Sequence, residues 1–123
     1  DIISLHVPSA AETKGLVNTE FLEKLQPDTI IINASREDVI DEDALLSAMS
    51  DKGIRAGLDV FADEPASGEG IFSSALASHP NTCGTHHIGA STNQAQTAVA
   101  EGVLEVIDAF EGGTVLHCVN GQG

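Results

Sequence analysis

Arg36, Glu64 and His87 lie far apart along the chain, yet each follows an apolar run closed by a turn. Ile30-Ile31-Ile32-Asn33-Ala34-Ser35 precedes the arginine, Gly57-Leu58-Asp59-Val60-Phe61 precedes Glu64-Pro65, and His86-His87 opens the stretch Ile88-Gly89-Ala90-Ser91-Thr92. A guanidinium holds an anion through a planar fork of donors, and a histidine beside a carboxylate can take up and release a proton near neutral pH. Such a set suits proton and hydride chemistry on a hydroxy acid. For residues so separated to meet one small molecule, the apolar runs must be strands of an open parallel sheet, whose carboxyl ends border a shared crevice.

The segments needed to build that sheet alternate along the chain. Apolar strand-like runs at 1–7, 29–34, 54–60 and 81–85 are separated by helical patterns at 19–25 and 42–49, an irregular stretch at 63–69 and a short apolar turn near Ala75-Leu76. Strands alternating with helices predict an α/β fold with a parallel sheet. Asn18 and Asp41 stand where N-caps belong, and Pro27 and Gly53 stand where those two helices should stop. A final helix is expected from about Thr92, with Val99, Val103, Val106, Ile107 and Phe110 on one apolar face and Gly112-Gly113 at its end. Residues 114–119 would then form an edge strand or cross to another domain.

Composition narrows the function classes. With 19 acidic against 5 basic residues, the net charge of −14 repels phosphate backbones and anionic membranes, and the lack of Trp and Tyr removes an aromatic base-stacking platform. Neither nucleic acid nor membrane is an expected partner. The apolar runs are too short to span a bilayer and the first residues do not form a signal peptide, so the cytoplasm is the expected compartment. Cys83 and Cys118 lie in strand-like segments without a disulfide framework, which predicts buried free thiols. His79, Cys83, His86 and His87 lack zinc-ligand spacing, so no metal is expected.

A dinucleotide-binding fold normally opens with a strand and a Gly-x-Gly-x-x-Gly turn against the pyrophosphate. The glycines of this chain are scattered and form no such turn. Nevertheless Ile3-Ser4-Leu5-His6-Val7-Pro8, Ile32-Asn33-Ala34-Ser35-Arg36, Val39-Ile40-Asp41-Glu42, Gly57-Leu58-Asp59-Val60-Phe61 with Glu64-Pro65, and His87-Ile88-Gly89-Ala90-Ser91-Thr92 occur in an order that resembles the D-isomer-specific 2-hydroxyacid dehydrogenases. Within that family the blocks look most like members that oxidise 3-phosphoglycerate in serine biosynthesis. The resemblance implies a Rossmann-type half-domain that lacks the glycine-loop first half. Residues 1–112 would be the second half of an NAD-binding domain including its crossover helix, and 113–123 a return segment toward a substrate domain.

By the same resemblance, Arg36 would anchor the substrate carboxylate and polarise the C2 oxygen. His87 would exchange a proton with that oxygen, and Glu64 would be its carboxylate partner, favouring the protonated ring. Asp59 would meet the nicotinamide end of NAD. The segments His6-Val7-Pro8, Ala34-Ser35 and Gly89-Ala90 would line the cofactor, with Arg36 and His87 also facing it. The substrate would be a small 2-hydroxy acid, and the intact protein a homo-oligomer. This chain alone would be inactive, its first strand pairing with a missing N-terminal half or with another copy. A non-catalytic, dinucleotide-dependent corepressor-like module is the alternative from a different class, and a dehydrogenase for glycerate or lactate the alternative within the family.

One block departs from the family pattern. Where relatives carry glycine after the arginine, this chain has Glu37-Asp38, with Asp41, Glu42 and Asp43 following. A glycine there would permit close approach or positive φ, and two carboxylates beside Arg36 would weaken its field toward an anion. The favoured expectation is a solvated acidic helix start, which suits the helix dipole.

Overall fold

The computed structural model describes residues 1–62, 64–65, 70 and 72–121 of the 123-residue chain. Two compact units make it up, Asp1–His87 and Ile88–Gly123. The first contains β1 (Ile2–Leu5), α1 (Thr19–Glu23), β2 (Ile30–Asn33), α2 (Glu42–Lys52), β3 (Arg55–Leu58) and β4 (Thr82–Gly84). The second contains α3 (Asn93–Glu111).

The four strands are all parallel and stand in the order β1-β2-β3-β4, so the α/β parallel-sheet expectation holds. Each strand is shorter than the apolar run that encodes it. Side chains alternate across the sheet with the period of two that a pleated strand imposes. Ile31, Ala56, Leu5 and Leu58 are buried with Leu22, Leu45 and Met49 of the two helices, whereas Ile2 and Ile32 on alternate positions are exposed.

Local signals account for the helices. The Asn18 side chain accepts the Phe21 N–H and Asp41 accepts the Ala44 N–H, so both expected N-caps form. At the end of α2, Gly53 takes a left-handed φ of 69°, a conformation that costs a side-chain-bearing residue more. The Lys52 ammonium then reaches back to the carbonyls of Leu22, Glu23 and Leu25, which satisfies the end of α1 and ties the two helices together.

Among the described residues, the connection from β3 to β4 carries no long helix. A turn at 75–78 buries Leu76, as its apolar pair predicts. Of the irregular stretch expected at 63–69, only Glu64 and Pro65 fall among the described residues. Gly84 packs so closely on the Phe61 ring that a Cβ there would lie 2.8 Å from it.

The last helix starts near Thr92 as expected, with Thr92 as its N-cap, and Gly112 and Gly113 end it, but residues 114–119 form no strand. No described strand pairs with them, and an unpaired extended segment has no ladder to hold it. Val99, Val103, Ile107 and Phe110, expected as one apolar face, are all exposed. The two cysteines are free but exposed, which corrects the expectation of buried thiols: Cys83 sits on the open side of the last strand, and Cys118 lies in the irregular tail rather than in a strand. Among the described residues no helix is long and apolar enough to cross a membrane.

Candidate active site

The register of the sheet aligns the carboxyl ends of its strands. Leu5 pairs with Asn33, Asn33 with Leu58 and Leu58 with Gly84, so His6, Ala34, Asp59 and Thr85 leave the sheet side by side. That edge is where open parallel sheets take their ligands.

Backbone hydrogen bonds continue the sheet past its last ladder pair. The Asp59 N–H donates to the Asn33 carbonyl at 3.0 Å, the Thr85 N–H to Leu58 at 2.9 Å and the His87 N–H to Asp59 at 2.8 Å. Asn33, Asp59 and His87 are therefore fixed in one row across three strand ends. The Thr85 hydroxyl donates to the Asp59 carboxylate at 2.5 Å, which orients that side chain along the same edge.

At one end of the row, Asn33 shapes the arginine's turn. Its side chain is 1% exposed, accepts both the N–H and the hydroxyl of Ser35, and donates through Nδ2 to the Arg36 carbonyl. This is an Asx-type turn built on a buried amide. Arg36 is exposed beyond it, with Nη1 donating to the Ser35 carbonyl. Ser35 has its N–H and hydroxyl engaged inside the turn. Asn33 was not among the candidate residues. The signal for it was present: a polar residue that continues an apolar run into a turn is a buried amide with a job to do.

Glu37 and Asp38 enter a short 3-10 turn, Glu37–Val39, and neither takes a positive φ. The conformational reason for glycine thus does not apply here. Nor is Asp38 a freely solvated charge: it is half-buried and accepts the Ser9 hydroxyl at 2.7 Å, while its carbonyl accepts the Gly15 N–H. The Val17 N–H donates to Val39 and the Asp41 N–H to Val17. The loop after β1, which begins with His6, Val7 and Pro8, is thereby joined to the segment after Arg36. His6 itself hydrogen-bonds the Ser4 hydroxyl.

At the other end of the row, Glu64 and His87 meet. One carboxylate oxygen, Oε1, accepts the Phe61 N–H at 2.8 Å, and the other, Oε2, lies 3.3 Å from His87 Nδ1. The imidazole is 55% exposed and the carboxylate 26%, so the ring is reachable while its partner is shielded. With Nδ1 directed at the carboxylate, Nε2 is the nitrogen left to exchange a proton. His87 has a φ of 59°, a strained left-handed conformation for a non-glycine residue. Both residues line an open cleft of about 890 Å³ walled by Phe61, Pro65, Phe72 and Thr85. The adjacent histidines lie beyond β4 rather than on it. Among the described residues no cluster of three His, Cys, Asp or Glu could hold a metal ion.

Gly89 and Ala90 belong to the second unit, where Gln96 donates to the Ala90 carbonyl. The structure thus brings Asp59, Glu64, Thr85 and His87 together and sets the turn of Arg36 on the same row.

Residues 1–89 match the model of the D-isomer specific 2-hydroxyacid dehydrogenase, NAD binding domain. The chain belongs to this family. Among the 2-hydroxyacid dehydrogenases it is 47% identical over 108 residues to a D-3-phosphoglycerate dehydrogenase of Synechocystis sp., covering 87% of this chain and 19% of that protein. It is 37% identical over 122 residues to the D-3-phosphoglycerate dehydrogenase of Escherichia coli, covering 98% of this chain and 30% of that protein. The crystal structure of D-lactate dehydrogenase with NAD+ from Lactobacillus jensenii superposes with a TM-score of 0.82 at 30% identity, over 99% of this chain and 40% of that one. The chain therefore spans less than a third of the length of the two curated relatives.

Proposed function

We propose that this chain is part of an NAD-dependent dehydrogenase that oxidises the 2-hydroxyl of D-3-phosphoglycerate. The observation that carries the reading is the Glu64–His87 pair at 3.3 Å, held on the same backbone row as the turn that presents Arg36. The names of the curated relatives favour the phosphorylated substrate over lactate or glycerate.

Arg36 holds the substrate carboxylate and draws electron density from the C2 oxygen. His87 Nε2 receives the hydroxyl proton as the C2 carbonyl forms, and Glu64 stabilises the imidazolium that results. NAD, when bound, supplies the acceptor for the hydride that leaves C2. Asp59, oriented by Thr85, would meet its nicotinamide end, with His6, Val7, Pro8 and Ala34 along the same edge. The carboxyl-edge row and the shielded carboxylate behind an accessible imidazole fit that cofactor.

The test is absorbance at 340 nm of the full-length protein with 3-phosphoglycerate and NAD, beside its Arg36→Ala variant. NAD reduction that the variant loses through a raised substrate KM is the expected result. A parent protein that binds NAD yet stays silent on 3-phosphoglycerate, glycerate and lactate overturns the reading.

A further inference from the structure

We infer that Glu42, in the first turn of α2, is a positioning residue for the Glu64–His87 pair; the inference rests on the dehydrogenase reading above. In the sequence Glu42 looks like one more acid at a helix start. The structure gives that task to its neighbour, since Asp41 supplies the N-cap. The Glu42 carboxylate instead reaches across 20 positions of chain and accepts the Ala62 N–H at 2.9 Å. The preceding amide, Phe61 N–H, is held by Glu64 Oε1 at 2.8 Å. Two consecutive amides beyond β3 thus point at two carboxylates, one fixed on a helix and one belonging to the proton-exchange pair.

The two ends of this brace differ in rigidity. Helix α2 is anchored by Leu45 and Met49, which are 0% and 2% exposed. The Phe61 ring is buried beside Phe72 and Gly84. Between them, the loop that carries Glu64 has its Phe61–Ala62 backbone pinned on one side by the ring and on the other by Glu42. Without Glu42, the Ala62 N–H turns to water, and the Glu64 orientation depends on a single bond to an amide that is free to tilt. Oε2 then drifts from His87 Nδ1. Arg36 is unaffected, because its turn is built by Asn33.

The full-length protein would be assayed as Glu42→Ala, Glu42→Gln and Glu64→Gln, and as the Glu42→Ala/Glu64→Gln double variant, with 3-phosphoglycerate and NAD and with thermal unfolding as a check of folding. Loss of one hydrogen bond to a charged group predicts a fall in kcat of about threefold to tenfold for Glu42→Ala with substrate KM unchanged. Gln keeps the accepting oxygen, so Glu42→Gln should restore kcat to within about twofold of the parent. In the Glu64→Gln background, Glu42→Ala should have no further effect, since the residue acts only through Glu64. The inference is overturned by an unchanged kcat in Glu42→Ala, by a Gln variant as impaired as the Ala variant, or by losses that multiply in the double variant. If Glu64→Gln retains full activity, the dehydrogenase site itself is misassigned; if it is impaired while Glu42→Ala is not, only the brace fails.

Discussion

Arg36 is held by a turn that closes within three residues, from Asn33 to the arginine's own carbonyl, whereas Glu64 and His87 meet across 23 positions of chain. The first arm rests on a buried amide with all its bonds inside one turn. The second depends on a loop, a strand end and a backbone conformation that histidine adopts only at a cost. A site for a small acid needs both kinds of support. The group that binds charge can be preformed, but the group that moves a proton must remain exposed and so needs help from outside its own segment.

On the proposed dehydrogenase reading, the largest expected effect comes from the Glu64–His87 arm. His87→Asn tolerates the left-handed backbone, because asparagine visits that region more readily than most residues, but it removes the exchanging nitrogen. General acid-base catalysis contributes roughly 10²- to 10⁴-fold, so kcat should fall by about that factor while the thermal midpoint hardly moves. Steady-state kinetics and calorimetry on the same preparation decide it. A large loss of stability instead would mean that the two arms are equally structural.

Asn33→Ala should reverse the pattern. It removes the acceptor for Ser35 and the donor to Arg36 at a fully buried position, and stability should drop by about 2–4 kcal/mol from unsatisfied polar groups and a small cavity. Substrate KM should rise roughly tenfold, as expected for about 1.4 kcal/mol of lost positioning of Arg36, with a smaller change in kcat. Denaturant unfolding and substrate titration separate the two effects. A variant of parental stability would show that the turn does not need its buried amide.

These arms also differ in how readily the sequence discloses them. The parallel sheet, the caps at Asn18 and Asp41, the helix start near Thr92 and the stop at Gly53 all follow from signals confined to a few residues, and the structure forms each of them. The turn at Arg36 was legible as a turn, but not as the work of Asn33, because a buried polar side chain declares its partners only once the fold is known. The meeting of Glu64 with His87 came from the family pattern, since no local rule relates residues so far apart. Glu42 and Asp38 were read as helix-start charges. Their partners, Ala62 and Ser9, are 20 and 29 positions away, and only the packing of loops on α2 and on the 3-10 turn brings them into reach. The open thiols escaped for related reasons: strand propensity does not say which face of a sheet is covered, as at Cys83, and at Cys118 the strand-like segment found no neighbour to pair with among the described residues.

The smallest effect should come from the contact between Ser9 and Asp38, which extends the arginine arm to the loop after β1. Backbone bonds from Gly15 and Val17 to the same segment survive its loss, so Ser9→Ala should raise the KM for NAD only about twofold and leave kcat alone. The variant does, however, strip Asp38 of its hydroxyl donor, and among the described residues its other oxygen is already buried without a partner. A carboxylate left so is worse than none. Replacing it with the glycine usual in the family, as Ser9→Ala/Asp38→Gly, should therefore recover part of the loss, since the 3-10 turn needs no side chain there. Steady-state kinetics of the two full-length variants with NAD varied test this directly. A double variant weaker than Ser9→Ala would make Asp38 a support of the arginine's turn in its own right, and would move the boundary of that arm two residues beyond Arg36.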